Sequence, residues 1–399
     1  MKAGWQTKSI GDVCDVVNGG TPKTGVAGYW DGPHQWITPA EMGKRSTPYI
    51  GKTERSITDA GLQNSSARLL PAQSVILSSR APIGHLVINT APMATNQGCK
   101  GLVPRNGLDT KYLYYYLAGI APLLNDLGTG ATFKELSGGK LKEVPVPLAP
   151  LPEQHRIVAI LDEAFAGIAT AKANTEKNLQ NARALFESHL QSVFAQRGEG
   201  WVEKPLEDVV DAQCTLSYGI VQPGHDYTNG MPVVRPTDLT AKTITLDGLK
   251  RIDPKIGDGY RRTTLRGGEL LLCVRGGTGA VSVTAPELAG ANVTRGIVPI
   301  VFAPSLIRQD FGYFLMTSEA VQSQIRAKTY GAALMQINIG DLRKIVVSFP
   351  SLKEQSEMAA RLDALATETQ RLESLYQQKL AALDDLKKSL LHQAFSGQI

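Results

Sequence analysis

Residues 150–154 read Pro-Leu-Pro-Glu-Gln, and residues 351–355 read Ser-Leu-Lys-Glu-Gln, 201 positions later. After each segment proline and glycine nearly vanish, and alanine, leucine, glutamate, lysine and glutamine dominate for about 45 residues. These residue types have high helix propensity. Each segment therefore predicts the start of a long helix, once in each half of the chain.

The residues before these two segments are also duplicated. Residues 75–84, Val-Ile-Leu-Ser-Ser-Arg-Ala-Pro-Ile-Gly, match residues 270–279, Leu-Leu-Leu-Cys-Val-Arg-Gly-Gly-Thr-Gly. Both predict a buried strand that leads an arginine into a turn containing glycine. A tryptophan and two aspartates recur 196 positions later: Trp5, Asp12 and Asp15 as Trp201, Asp208 and Asp211. A repeat of this length predicts two similar domains.

The predicted fold class is α+β, with two strand-rich globular domains and two long antiparallel helices that form a coiled coil. Glycine, proline and threonine are frequent in residues 1–150 and 201–350, and apolar runs there are short. Such a texture is typical of mixed, turn-rich domains. We therefore predict domains over 1–150 and 201–350, with helical spacers over 151–200 and 351–399. The duplication predicts a pseudo-twofold relation between the halves.

An apolar stripe at steps of three and four runs along each predicted helix, as expected for a coiled-coil seam. Lys172 and Thr175 interrupt the first stripe, and Lys379 interrupts the second. The alternative, that each helix packs only on its own domain, stays open. The predicted seam and partner residues are Leu161, Phe165, Ile168, Leu179 and Phe186 in the first helix, and Leu362, Leu365, Leu372, Tyr376, Leu383 and Leu386 in the second.

The composition allows a nucleic-acid partner and gives no sign of a membrane. The formal net charge is +5, which is compatible with binding to a polyanion. No apolar run reaches the roughly 20 residues that a membrane span needs. The four cysteines are far apart and form no Cys-x-x-Cys pair, which argues against a zinc or redox site. We therefore expect a cytoplasmic protein without a membrane partner.

No catalytic motif is present in the sequence. Residues 276–279, Gly-Gly-Thr-Gly, lack the lysine of a phosphate-binding loop, and no glycine fingerprint opens a dinucleotide-binding unit. The six histidines do not fall at metal-ligand spacing. Residues 385–387, Asp-Leu-Lys, have the spacing of a nuclease motif but lie on a predicted seam helix. We therefore predict no catalytic residue and no metal site.

Two similar domains, each closed by a proline-containing hinge and a long helix, resemble the specificity subunit of type I restriction-modification systems. The ending over residues 390–397, Leu-Leu-His-Gln-Ala-Phe-Ser-Gly, is also similar to that family. The resemblance covers the whole chain. It implies that each domain is a target recognition domain that reads one half of an asymmetric, bipartite double-stranded DNA site.

The resemblance also implies partners and cofactors. The paired helices would set the length of unread DNA and dock two methyltransferase subunits, which methylate adenine with S-adenosylmethionine. Two restriction subunits that use ATP would complete the complex. This chain would itself bind no cofactor, since S-adenosylmethionine, ATP and magnesium would all be held by the partner subunits.

Direct reading of bases requires arginine, asparagine or glutamine side chains on loops held by a rigid frame. Arg80 and Arg275 are the first candidates, with Gly84 and Gly279 allowing close approach of the backbone. An arginine paired with a nearby carboxylate is an equally good interpretation. The remaining candidates are Asn96, Gln97 and Arg295 in matching later turns, then Lys23, Thr38, Arg235 and Thr237.

Two other functions stay open at this stage. One is a two-lobed scaffold that joins protein partners through its coiled coil and does not read DNA. The other is a stand-alone nuclease, which the missing metal cluster disfavours. The aromatic residues Trp30, Trp36 and Tyr112 are interpreted as core rather than as base-stacking platforms.

Overall fold

The computed structural model describes residues 4–45, 47–80, 82–130, 134–331 and 334–399. Ala81, in the turn predicted after Arg80, lies outside these ranges. The chain divides into two compact units. Unit 1 comprises Met1–Glu176 and Gln377–Ile399, and unit 2 comprises Lys177–Tyr376. Each unit therefore contains one globular domain and a part of both long helices. The domain limits predicted at 150, 200 and 350 stay a prediction.

In its described residues, the globular part of unit 1 contains ten strands and six short helices. The strands are β1 Gln6–Ser9, β2 Cys14–Asn18, β3 Trp30–Ile37, β4 Tyr49–Ile50, β5 Arg55–Ile57, β6 Val75–Ser79, β7 Ile83–Asn89, β8 Met93–Thr95, β9 Cys99–Pro104 and β10 Pro145–Leu148. The helices are α1 Ile10–Val13, α2 Pro39–Met42, α3 Asp59–Gln63, α4 Thr110–Gly119, α5 Ala121–Leu127 and α6 Gly138–Glu143, with a 3-10 turn at Ala27–Tyr29.

After helix α7, Leu151–Ala195, the part of the unit 2 globular domain that the structure describes contains nine strands and four short helices. The strands are β11 Val202–Pro205, β12 Met231–Val234, β13 Thr243–Ile244, β14 Lys250–Ile252, β15 Leu270–Cys273, β16 Val281–Thr284, β17 Asn292–Val293, β18 Ile297–Ile300 and β19 Val346–Phe349. The helices are α8 Pro254–Gly257, α9 Gln309–Thr317, α10 Glu319–Ala327 and α11 Ile339–Arg343. The 3-10 turns are Leu206–Asp208, Pro236–Asp238, Asp258–Thr263 and Pro286–Leu288, and helix α12, Leu352–Ser396, follows β19.

The sheets of the two globular parts follow the same strand order, except that β2 of unit 1 has no counterpart among the strands of unit 2. Unit 1 has sheets ordered β2-β9-β6-β7-β4, β5-β3-β8 and β1-β10. Unit 2 has β13-β16-β15-β18, β14-β12-β17 and β11-β19. The parallel pairs also correspond, since β4 with β7 and β3 with β8 in unit 1 match β13 with β16 and β12 with β17 in unit 2. The predicted fold class, with its internal repeat, is confirmed.

The central strand of each larger sheet is the stretch that the sequence predicted to be buried. Every residue of β6 and of β15 is buried. Residues 75–77 of β6 and all four residues of β15 are apolar, as expected for strands that are covered on both faces. The aromatic prediction is also confirmed, since Trp30, Trp36 and Tyr112 are buried.

Both long helices span 45 residues, so each is about 65 Å long. Each begins with a buried glutamine. The Gln154 side chain accepts a hydrogen bond from the Asp109 N–H (2.8 Å) and donates to the carbonyls of Gly107 (2.8 Å) and Ala149 (2.7 Å). These bonds tie the first turn of α7 to the loop before α4.

Gln355 makes the same three bonds in unit 2. Its side chain accepts from the Arg308 N–H (2.8 Å) and donates to the carbonyls of Leu306 (2.8 Å) and Pro350 (2.9 Å). Both glutamines are fully buried. A buried amide with its donors and acceptor satisfied fixes local geometry, because leaving any of these groups unpaired is costly.

Each globular part also receives the end of the other long helix. In unit 1 the Phe395 ring of α12 packs against Tyr112 (5.0 Å between ring centroids) and Tyr116 (5.2 Å). In unit 2 the Phe194 ring of α7 packs against Phe311 (5.5 Å). The start of one helix and the end of the other therefore share one hydrophobic core in each unit.

Burial varies along the predicted seam, whose residues stay a prediction. Leu161, Ile168 and Leu362 are buried, and Thr175, predicted as an interruption, is buried as well. Leu386 is 47% exposed. The Lys387 ammonium lies 5.1 Å from the Phe165 ring centroid, and Lys387 is also exposed.

Within the described residues, no helix is both long enough and apolar enough to cross a membrane.

We expect Gln355→Leu to lower the free energy of unfolding by at least about 2 kcal/mol, because it leaves one N–H and two carbonyls buried without partners. The measurement is urea denaturation followed by circular dichroism. The matched control is Gln370→Leu, at an exposed position of the same helix, which should change the value by less than about 0.5 kcal/mol. Equal losses in the two variants would contradict this role for Gln355.

Candidate nucleic-acid interface

Strand β6 positions Arg80 in unit 1. The Ser79 N–H donates to the Gly98 carbonyl (2.7 Å), and the Leu136 N–H donates to the Ser79 carbonyl (2.8 Å). Arg80 also forms an isolated bridge with Glu135. The arginine therefore follows the buried strand as the sequence predicted and lies beside two neighbouring turns, but Gly84, predicted in the turn after it, lies within strand β7.

The turn after β8 brings further candidates to the same place. The Asn96 amide donates to the Thr21 hydroxyl (2.9 Å), and its oxygen accepts from the Gly98 N–H (2.8 Å). The Thr21 hydroxyl also contacts the Gln97 side chain. A Cβ atom on Gly98 would lie 3.2 Å from both Arg80 Cγ and Pro39 Cγ, so this turn, Arg80 and the start of α2 are in close contact.

We call this cluster face 1; it comprises Thr21, Lys23, Thr38, Arg80, Asn96 and Gln97. Lys23 is exposed, two residues after Thr21. Thr38 caps α2, since its hydroxyl accepts from the Glu41 N–H (3.3 Å). The Arg80 guanidinium lies 3.9 Å from the Glu135 carboxylate, and the two side chains are 39% and 45% exposed. An ion pair this long and exposed leaves the guanidinium free to bind another acceptor.

Unit 2 repeats the frame around Arg275. The Val274 N–H donates to the Gly296 carbonyl (2.8 Å), and the Ile337 N–H donates to the Val274 carbonyl (3.0 Å). Arg275 bridges to Gln336 as Arg80 does to Glu135. A Cβ atom on Gly296 would lie 2.6 Å from Pro236 Cγ and 3.3 Å from the Arg275 carbonyl oxygen. Three predicted loops therefore converge here as well.

We call this second cluster face 2; it comprises Arg235, Thr237, Arg275, Arg295 and the turn at Tyr330–Met335, of which 332 and 333 lie outside the described residues. Arg235 is engaged by Asp238 through two hydrogen bonds (3.1 and 2.8 Å), which raise the pKa of the guanidinium. Arg275 is half-buried and Arg295 is exposed. Neither has an acidic partner in the described part of the chain. The alternative of pairing with a carboxylate was open for Arg80 and Arg275: Arg80 has a long, exposed contact with Glu135, and Arg275 has no such contact within the described residues. Arg235 is the arginine that pairs closely with a carboxylate, that of Asp238.

Gly84 and Gly279 both have positive φ, +114° and +100°. Each lies against a helix, since a Cβ atom would be 3.5 Å from Ala121 Cβ at Gly84 and 2.6 Å from Gln322 Oε1 at Gly279. The backbone conformation and this packing account for glycine at both positions. Their predicted contact with DNA stays a prediction, as do the base contacts of the other candidates.

The sequence interpretation missed the apolar surface of face 2. Tyr330, Leu334 and Met335 are 48%, 44% and 45% exposed. The Met335 carbonyl accepts from the Gly276 N–H and from the Thr278 hydroxyl, both at 2.9 Å, so this turn packs beside Arg275. The repeat could have indicated this turn beside Arg275, because Glu135-Leu136 in unit 1 corresponds to Gln336-Ile337 in unit 2. These two segments lie 201 positions apart, as the long helices do.

Two equivalent loop faces, each held by its own strand frame, and two helices of equal length define a duplicated recognition protein. A family model described as the type I restriction modification DNA specificity domain matches residues 2–181 and again residues 198–381. The chain belongs to this family.

Curated relatives are specificity subunits of type I restriction enzymes. The MjaIX specificity subunit of Methanocaldococcus jannaschii is 38% identical over 225 residues, which are 52% of this chain and 52% of that protein. The EcoBI specificity subunit of Escherichia coli is 26% identical over 331 residues, 77% of this chain and 70% of that protein. The match thus spans about half the length of the first relative.

Two solved structures share the fold over nearly the whole chain. One belongs to a study of complex assembly and conformational transition of the type I R-M system; its TM-score is 0.78 at 17% identity, covering 99% of this chain and 98% of that one. The other is the HsdS subunit from Thermoanaerobacter tengcongensis, with a TM-score of 0.62 at 17% identity, covering 100% and 98%.

We expect Gly296→Ala to destabilise unit 2 by about 1–3 kcal/mol, because the added methyl group overlaps Pro236 and displaces the loop beside Arg275. Thermal unfolding followed by circular dichroism gives the measurement. Gly259→Ala is the control, since a Cβ atom there meets nothing within 4 Å. An unchanged Tm for Gly296→Ala would show that the three loops are not packed as described.

Proposed function

We propose that this chain is the specificity subunit of a type I restriction-modification complex and that face 1 and face 2 each read one half of a bipartite duplex site. The observation that carries the proposal is the repeated frame, in which a buried strand delivers Arg80 and Arg275 to equivalent loop clusters. Family membership supports the DNA-reading role, and the names of the relatives support the type I system.

The two faces have different chemistry for base recognition. Face 2 carries two arginines without acidic partners in the described residues, which suits bidentate hydrogen bonds to guanine. Face 1 carries Asn96 and Gln97, whose amides suit adenine, beside Arg80. The apolar side chains of Tyr330, Leu334 and Met335 suit contacts with thymine methyl groups. Different half-sites therefore fit the two faces.

Exposed leucines on the long helices support two equivalent partner sites. Leu185 on α7 is 65% exposed and Leu386 on α12 is 47% exposed, and the two positions are 201 residues apart. Leu151 and Leu352, related in the same way, are 41% and 40% exposed. Solvent-exposed leucines at equivalent positions of both helices are suited to two copies of one partner. We assign these positions to the two methyltransferase subunits, with two restriction subunits joining the complete complex.

The catalytic roles belong to those partners in this proposal. The methyltransferase subunits hold S-adenosylmethionine, the restriction subunits use ATP and magnesium, and this chain supplies recognition without catalysis or a cofactor of its own. The complex works in the cytoplasm, where the genomic DNA of a prokaryotic cell is accessible.

The experiment is to co-express the chain with methyltransferase subunits of the same type I system and to map methylated adenines. We expect one bipartite motif. Arg80→Ala should relax one half-site and Arg275→Ala the other, each by about 1–3 kcal/mol of discrimination at the affected base pair. Arg371→Ala, at an exposed position on α12, is the control and should leave the motif unchanged.

Loss of discrimination in the same half-site for both arginine variants would contradict the assignment of one half-site to each face. The two-lobed scaffold makes a different prediction, because it needs no sequence-dependent DNA binding. A gel-shift assay of the assembled complex that shows equal retention of matched and scrambled duplexes would favour the scaffold.

We expect Leu185→Asp and Leu386→Asp each to weaken binding of one methyltransferase subunit by tenfold or more, because a buried leucine contact is worth about 1.5–3 kcal/mol. The stoichiometry and affinity are measured by analytical ultracentrifugation. Ala166→Asp, also exposed on α7, is the control and should bind two methyltransferase subunits as the parent does. Unchanged binding in both leucine variants would exclude this surface as the docking site.

A further inference from the structure

Among the described residues, two ion pairs join the long helices, one in each unit. In unit 1 the Lys172 ammonium of α7 contacts the Asp384 carboxylate of α12. In unit 2 the Arg183 guanidinium of α7 donates two hydrogen bonds, of 3.0 and 3.2 Å, to the Glu373 carboxylate of α12. In both pairs the basic residue lies on α7 and the acidic residue on α12.

These two pairs occupy equivalent positions of the repeat. Helices α7 and α12 begin 201 positions apart, at Leu151 and Leu352, and also end 201 positions apart. Lys172 of α7 therefore corresponds to Glu373 of α12, and Arg183 corresponds to Asp384. The charge at each of the two positions is reversed between the helices.

Part of the apolar interface is the same in both helices. Leucine stands at 161 and 362, at 179 and 380, and at 190 and 391, and phenylalanine stands at 194 and 395. Other positions differ, since Phe165 and Ile168 of α7 correspond to Ala366 and Thr369 of α12. The shared leucines and phenylalanines do not select between the two helices, so the charged positions contribute to the choice of partner.

A pair made from two copies of one helix would bring like charges together. With the same antiparallel register, two α7 helices from different molecules would place Lys172 against Arg183 twice. Two α12 helices would place Glu373 against Asp384 twice. Lys172 and Glu373 are only 29% and 28% exposed, so solvent screens these charges less than it screens fully exposed ones.

We propose that the charges of Lys172, Arg183, Glu373 and Asp384 favour pairing of α7 with α12 and disfavour pairing of either helix with a second copy of itself. We call this pattern of charges the charge code. The charge code disfavours pairing of each helix with the same helix of another molecule. A duplicated chain benefits from such a device, because the leucines and phenylalanines common to both helices do not select the partner.

One double substitution removes the charge code and keeps both ion pairs between α7 and α12. In Lys172→Glu/Asp384→Lys, the unit 1 pair is reversed and the unit 2 pair is unchanged, so α7 still fits α12. Each helix then carries one charge of each sign, and two copies of α7, or of α12, also match. The control exchanges all four charges, Lys172→Glu/Arg183→Glu/Glu373→Lys/Asp384→Arg, which keeps the code with its sign inverted.

The test refolds the full chain from urea at a series of concentrations and measures the dimer fraction by light scattering after gel filtration. The parent chain and the four-charge exchange should give the same low dimer fraction. Lys172→Glu/Asp384→Lys should give a dimer association constant of the order of tenfold higher, because four like-charge contacts become attractive. Its helix content and Tm should match those of the parent.

A second variant, Arg183→Glu/Glu373→Lys, applies the same change in unit 2 and should give the same increase. Equal dimer fractions in the parent and in either refolded double variant would overturn the proposal. Failure of both double variants to refold, with normal refolding of the four-charge exchange, would overturn it too, because the reversed pairs would then not be interchangeable.

Discussion

A buried glutamine at the start of each long helix is the contact on which the arrangement of each unit depends. Gln154 and Gln355 each join the helix to the loop that precedes α4 or α9 and to the end of the preceding strand. Those short helices pack in the same core as β6 or β15, the strand that ends at the candidate arginine. The direction of the long helix and the position of the loop face are therefore fixed by one continuous core within each unit.

The same frame carries two different surfaces. Face 1 is polar, and Thr21, Asn96 and Gln97 are hydrogen-bonded to one another. Face 2 has Arg275 beside the exposed turn at Tyr330, Leu334 and Met335. Because strands and helices supply the frame and loops supply the chemistry, the surface can differ between the units while the topology stays the same.

The sequence predicted the features that depend on local pattern. The repeat, the two long helices after residues 150 and 351, and the buried strands before Arg80 and Arg275 all follow from residue type and spacing. The sequence did not predict features that depend on contacts between residues far apart in the chain. The Thr21 to Asn96 bond joins residues 75 positions apart, and the Lys172 to Asp384 pair joins residues 212 positions apart.

The proposed function requires two separate faces of one chain to read two separate parts of a duplex. Hydroxyl-radical footprinting of the assembled methyltransferase complex on its own methylation site tests this requirement most directly. We expect two strongly protected segments whose sequence matters, with DNA between them whose sequence can be changed without loss of binding. One protected segment, or protection that is independent of sequence throughout, would contradict it.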